Sequence, residues 1–146
     1  MSRSPWAVIL AGGDGVRLRS VTRGITGDDR PKQFCPLVGE DALLIETRRR
    51  VGLTVPAHRT LVVVNRAHER FYTPLLADLR TPALAAQPEN RDTAPAILYA
   101  LLLLAGRRAG ADPVAFFPSD HYLSDDVAFM GQVEQAFEGC ARPPTS

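Results

Sequence analysis

Three short stretches of this 146-residue chain are apolar at nearly every position: Trp6–Ala11, Thr60–Asn65 and Pro113–Phe117. A strand with one wet face alternates apolar and polar residues, whereas a strand covered on both faces is apolar throughout and belongs to a parallel sheet flanked by helices. A fourth β-rich run, Ala83–Gln87, completes the set. Between the runs lie segments of helical character, at roughly Ala42–Leu53, Ala67–Leu79, Thr93–Arg108 and Asp125–Phe137. Asp92-Thr93-Ala94-Pro95 reads as a helix start, a capping residue followed by proline in the first turn, and Gly106 and Gly110 punctuate that helix's end. Strands alternating with helices predict an α/β fold with a doubly wound, mainly parallel sheet.

The spacing is economical everywhere except Gly12–Asp41, a long stretch with Gly, Asp, Arg and Pro but little periodicity. Long aperiodic segments inside compact domains are usually functional or disordered. This one opens on Gly12, Gly13 and Gly15, directly after the first strand, followed by Arg17. Glycine permits positive φ and lets backbone N–H groups come close to phosphate oxygens. Arg17 adds a forked cation. Lys32, in Arg30-Pro-Lys-Gln-Phe34, is the single lysine among 17 basic residues. No Gly-Lys-Ser/Thr follows the glycines, so the loop is not a P-loop, and its spacing is not that of a dinucleotide-binding turn. If the strands order 3-2-1-4, a crevice opens between the first and fourth strands at their carboxyl ends. The glycine loop and Pro118-Ser-Asp-His121 would then face each other across it.

Each remaining candidate has a plainer structural reading beside its functional one. Asp120, ending a buried strand, suits Mg²⁺, which takes few protein oxygens and completes its shell with substrate phosphates; it also suits a turn cap. His121 could orient a ligand or Asp120, or serve only structure. The run Gln87–Pro95 offers amide, guanidinium and carboxylate groups that could read a base edge, with a helix N-terminus behind them favouring an anion; alternatively Asp92 or Thr93 simply caps the helix and Gln87 is exposed. Arg48-Arg-Arg50 reads as a solvated helix face rather than a nucleic-acid patch. Asp28-Asp29 and Asp125-Asp126 read as loop and helix-start charges, and Cys35 as packing.

The four motifs together resemble the sugar-phosphate nucleotidylyltransferases, and within them the mannose-1-phosphate guanylyltransferases. These are Leu10-Ala-Gly-Gly-Asp-Gly-Val-Arg-Leu18, Pro31-Lys-Gln-Phe34, Gln87-Pro-Glu-Asn-Arg-Asp-Thr-Ala-Pro-Ala96 and Phe117-Pro-Ser-Asp-His121. The glycine loop and the lysine are shared across the superfamily; Pro-Lys-Gln-Phe, Asn-Arg-x-Thr-Ala-Pro and Pro-Ser-Asp-His are narrower. The resemblance implies a Rossmann-like nucleotidyltransferase fold that joins GTP and mannose 1-phosphate into GDP-mannose and pyrophosphate with Mg²⁺. It would place GTP phosphates on Gly12, Gly13, Gly15 and Arg17, with Lys32 near the reacting phosphates. Asp120 would hold Mg²⁺, and Gln87, Arg91, Asp92 and Thr93 would lie near the guanine. Val16 departs from the Thr common at its position. The family's Phe-Val-Glu-Lys-Pro sugar motif and second metal-binding Asp are not in this sequence. Residues 1–146 are therefore expected to be the N-terminal, nucleotide-binding part of such a domain, inactive alone or completed by a further half or a second copy.

Two other classes stay open: a nucleotide-binding module without catalysis, and a nucleotide-sugar glycosyltransferase. The latter needs an Asp-x-Asp metal motif, of which Ser119-Asp-His121 supplies one carboxylate. Net charge is +1, so no bulk attraction to nucleic acid or an anionic membrane is expected. The apolar run Ala94–Ala105 is too short to span a bilayer. Two cysteines form no disulfide framework or zinc spacing, and no secretory signal opens the chain, so a reducing, cytoplasmic setting is expected.

Overall fold

The apolar runs are strands, and they pair as their patterning requires. In the computed structural model, which describes residues 4–78, 83–107 and 111–141, the strands are β1 (Trp6–Ala11), β2 (Thr60–Asn65), β3 (Leu84–Gln87) and β4 (Val114–Pro118). They form one four-stranded sheet in the order β3-β2-β1-β4, with every neighbouring pair parallel. Ala83 and Pro113, expected inside strands, sit just before them and contribute only carbonyls, to Val62 N–H and Trp6 N–H. At the other end, β4 runs one residue further than expected, to Pro118. Proline lacks an N–H, and Ser119 compensates: its N–H and hydroxyl both donate to the Leu10 carbonyl, at 3.2 and 2.7 Å. That pair of hydrogen bonds to β1 fixes where Asp120 emerges.

Among the described residues five helices flank the sheet: α1 (Arg19–Thr26), α2 (Leu43–Val51), α3 (Glu69–Leu75), α4 (Thr93–Gly106) and α5 (Asp126–Ala141). Period-two alternation splits β1 between two cores. Ala7, Ile9 and Ala11 pack with Phe34, Leu44, Val51, Phe71 and Met130 on one face, while Trp6 and Val8 pack with Ala96, Ala100 and Leu104 on the other. Helix α4 thus crosses to the opposite face before β4 returns beside β1. The winding direction reverses there, and in open α/β sheets the crevice at that reversal is where ligands bind.

Several helix limits differ from the sequence expectation, each for a local reason. Ala42 is extended (φ −61°, ψ 146°), so α2 begins at Leu43, and it ends before Gly52 rather than at Leu53. The Ala67–Leu79 segment divides into a 3₁₀ turn, Arg66–His68, capped by the Asn65 side chain, and then α3. Pro74 sits inside α3, where it cannot donate to the carbonyl of Arg70, and the helix ends at Leu75. Leu79, Arg108 and Gly110 lie outside the described residues. Helix α5 runs to Ala141, four positions past Phe137, and Asp125 caps it by accepting the Ala128 N–H at 2.8 Å. The largest difference is α1 with the 3₁₀ turn Val16–Leu18 before it, inside the stretch read as aperiodic. Thr22 is α1's one buried residue, and Gly27 ends it at φ 79°.

The arginine run also needs correcting. Arg48 and Arg49 pair with Asp78 and Asp41 at the surface, but the Arg50 side chain is only 4% exposed. Its Nε meets Asp126 of α5, and its Nη2 donates to the His121 carbonyl at 3.4 Å. Arg50 therefore ties α2 to α5 and to the turn carrying Asp120. Cys35 is buried as packing, and burial pushes its thiol upward. Helix α4 is apolar all round, with Leu98 and Leu102 outward and exposed. Among the described residues no helix is long and apolar enough to cross a membrane.

Candidate active site at the carboxyl edge of the sheet

The loops after β1, β3 and β4 assemble the site. Gly15 follows β1 with φ 60°, the left-handed region that disfavours a side chain, and a Cβ there would stand 3.2 Å from both Lys32 N and Pro31 Cα. That approach seats the Lys32 turn against the glycine loop. Gln33 locks the two together from beneath: its buried amide donates to the carbonyls of Ala11 and Gly13, at 3.1 and 2.8 Å. Phe34 anchors the turn in the core. Among the described residues the N–H groups of Asp14 and Gly15 have no hydrogen-bond acceptor, and a Cβ on Gly13 would meet nothing within 4 Å. The loop is open to an anion on that side.

Lys32 reaches across to β4, where its Nζ lies 2.7 Å from Asp120 Oδ2, both side chains about a quarter to a third exposed. His121 Nε2 is 3.6 Å from Asp120 Oδ1 and its side chain is 66% exposed, so Lys32 rather than His121 orients the carboxylate. Arg17 is exposed beside the loop and, among the described residues, has no ion-pair partner. Two adjoining cavities occupy the cleft. One of 240 Å³ runs between Gly12, Gln87, Thr93 and Ser119; the other, of 420 Å³, runs along Gly15, Arg17 and Lys32. Gly13, Gln33, Asn90, Asp92 and Asp120 line both.

The β3–α4 loop is built differently from the plain capping alternative. Gln87 is buried, not exposed. Asp92 precedes α4 with φ 66°, ψ −171°, and its side chain makes no capping bond; instead its N–H donates to Asn90 Oδ1 at 3.0 Å. The expected caps are therefore absent, leaving the first turn of α4 facing the smaller cavity. Arg91 points elsewhere. Its guanidinium pairs with Glu89 at the surface and lines neither cavity.

Sequence reading missed three polar groups beneath the loop. Asp14 Oδ1 lies 3.1 Å from His68 Nε2, and Asn90 Nδ2 donates to Asp14 Oδ2 at 2.8 Å. No spacing signal could have joined residues 14, 68 and 90. His68 is buried against the edge of Phe34, with Nδ1 unpartnered. Burial lowers its pKa below the ordinary value, against the opposing pull of Asp14. In the neutral ring, the form that burial favours, the Asp14 carboxylate draws the proton to Nε2. Below pH about 6.5 the unfolded chain takes up a proton that the native one resists, so stability is expected to fall as pH drops through that range. Denaturant melts at stepped pH should show that slope in the wild type and a flatter one in His68→Gln; equal slopes would refute it.

The comparisons with known proteins agree with this architecture. The nucleotidyl transferase family matches residues 6–141. The xanthan biosynthesis protein XanB of Xanthomonas campestris pv. campestris is 39% identical over 132 residues, 88% of this chain and 27% of that protein. The mannose-1-phosphate guanylyltransferase of Escherichia coli is 35% identical over 88% of this chain and 26% of its own length. A crystal structure of a mannose-1-phosphate geranyltransferase from Thermus thermophilus superposes with a TM-score of 0.78 at 33% identity, over 93% of this chain and 38% of that one. The chain spans about a quarter of the length of these curated relatives. With a sheet of matching topology and a family match along nearly all of its length, this chain belongs to the nucleotidyl transferase family.

Proposed function

We propose that the cleft binds GTP with Mg²⁺, and that the chain supplies the nucleotide-binding part of a mannose-1-phosphate guanylyltransferase. The observation that carries this reading is the meeting of the glycine loop, Arg17, Lys32 and Asp120 at the β1–β4 reversal, with an amide-lined cavity alongside. Relatives named as guanylyltransferases support the choice of base and sugar.

The chemistry suits these groups. A sugar 1-phosphate is already anionic at neutral pH, its second pKa being about 6. Its oxygen attacks the α-phosphorus of GTP, the bond from that phosphorus to the bridging oxygen breaks, and pyrophosphate leaves with the electron pair. No protein base is needed; the demand is to gather negative charge and align the groups. The open N–H groups of the glycine loop and Arg17 would hold the triphosphate, and Lys32 would leave Asp120 to meet the reacting phosphates. Gln87, Asp92 and Thr93 would face the guanine.

Asp120 fits a magnesium site of the shared kind. It offers a carboxylate at the cleft, and no cluster of three or more His, Cys, Asp or Glu among the described residues could hold a metal alone. Mg²⁺ commonly takes one or two carboxylates and completes its shell with phosphates and water. When bound, it would neutralise charge on the departing pyrophosphate. Calorimetry with Mg²⁺ tests the base assignment: GTP is expected to bind at least tenfold more tightly than ATP. Equal affinities would remove the guanylyl reading and leave a general nucleotide site.

A further inference from the structure

Asp14 is a carboxylate set between Gly13 and Gly15, in the loop that the proposed function gives to phosphates. A negative charge there repels a triphosphate, so its presence calls for a compensating role. The structure supplies one. Both carboxylate oxygens are engaged, Oδ1 by His68 Nε2 and Oδ2 by Asn90 Nδ2. His68 follows β2 and is buried. Asn90 follows β3, and its own Oδ1 accepts the Asp92 N–H, holding Asp92 in its positive-φ conformation. One side chain thereby joins the loops after β1, β2 and β3. We propose that Asp14 is a positioning residue that latches the glycine loop to the β3–α4 loop through Asn90, with His68 as its buried anchor. The phosphate side and the base side of the cleft are then held at a fixed separation.

The inference rests on the nucleotide-binding reading for its purpose, but the latch itself is a ligand-free property, and the tests separate the two. Without ligand, amide exchange followed by NMR should show Asp14→Ala accelerating the Leu18 N–H, bonded to the Gly15 carbonyl, and the Asp92 N–H, bonded to Asn90. Asn90→Ala, at a site 76 residues from Asp14 in sequence, should accelerate Leu18 by a similar factor. Leu18 exchange unchanged in Asn90→Ala would overturn the latch whatever the ligand is.

With ligand, the two possible roles of Asp14 predict opposite signs. If Asp14 only adds charge, Asp14→Ala tightens GTP·Mg²⁺. As a latch, its loss weakens GTP·Mg²⁺ about tenfold, while inorganic tripolyphosphate, which needs one side of the cleft, binds as well as before or better. Asp14→Asn, which keeps an acceptor oxygen and loses the charge, should recover part of the GTP affinity and guards against a folding defect in the alanine variant. Equal weakening of GTP and tripolyphosphate would mean that Asp14 merely folds its own loop, and would overturn the proposal. Failure of the wild type to bind GTP, with the exchange coupling intact, would sink the nucleotide reading and leave the latch standing.

Discussion

Replacing Lys32 with alanine is expected to weaken GTP·Mg²⁺ binding by roughly ten- to a hundredfold, measured by calorimetry. A hydrogen bond to a charged group is worth about 1.5–3 kcal/mol, and each 1.4 kcal/mol is a factor of ten. Lys32 is well placed to make one. Its backbone is pinned by Gly15 and its ammonium already reaches the cleft, 2.7 Å from Asp120. The same substitution should move a divalent cation the other way. With no ammonium on Asp120, Mn²⁺ alone should bind more tightly to Lys32→Ala than to the wild type, and not to Asp120→Asn. Arginine is a poor substitute at this position, because its longer planar fork must be accommodated in a turn packed against the glycine loop. Lys32→Arg should therefore restore part of the GTP affinity at most. An unchanged GTP affinity in Lys32→Ala would remove this residue from the phosphate site.

The sheet was legible because strands buried on both faces cannot hide: continuous apolar runs have few other uses. Strand order entered the sequence reading only as a condition; the structure meets it with β3-β2-β1-β4, which brings the glycine loop and Asp120 to one crevice. The arginine run shows where reading by composition fails and periodicity would have served. Leu43, Thr47 and Arg50 are spaced four and three apart, the period of one helix face, so α2 carries Arg50 inward with Thr47 while Arg49 turns to water and Arg48 lies half-buried beside Asp78. Helix α1 gave no core signal, because its apolar Val21 and Ile25 face outward. The Asp14–His68–Asn90 network is of another kind. It joins loops distant in sequence through side-chain geometry, which the fold alone brings together, and the positive φ of Asp92 makes sense only with Asn90 holding its N–H.

A polypeptide of residues 1–146 by itself is expected to bind nucleotide yet to release pyrophosphate from GTP and mannose 1-phosphate at no more than background rate. Transfer requires both substrates in line, and a misplacement of about an ångström can cost a hundredfold. The lining of the two cavities supplies two cations, Arg17 and Lys32. A triphosphate and a sugar phosphate together bring more negative charge than that pair can neutralise, so a second phosphate group would meet repulsion rather than a grip. The relatives named as guanylyltransferases carry far more chain with which to supply that grip, since the matched region is about a quarter of their length. The cleft is also open to water: Arg17 is exposed, and the side chains of Lys32 and Asp120 are 31% and 26% exposed. Water excluded from a closed site would strengthen the few charges present; in an open one their effect is screened. The decisive measurement is pyrophosphate release with Mg²⁺, run beside GTP calorimetry on the same preparation. Binding without turnover fits this site, whereas robust turnover abolished in Lys32→Ala would show that Arg17, Lys32 and Asp120 suffice to align both substrates.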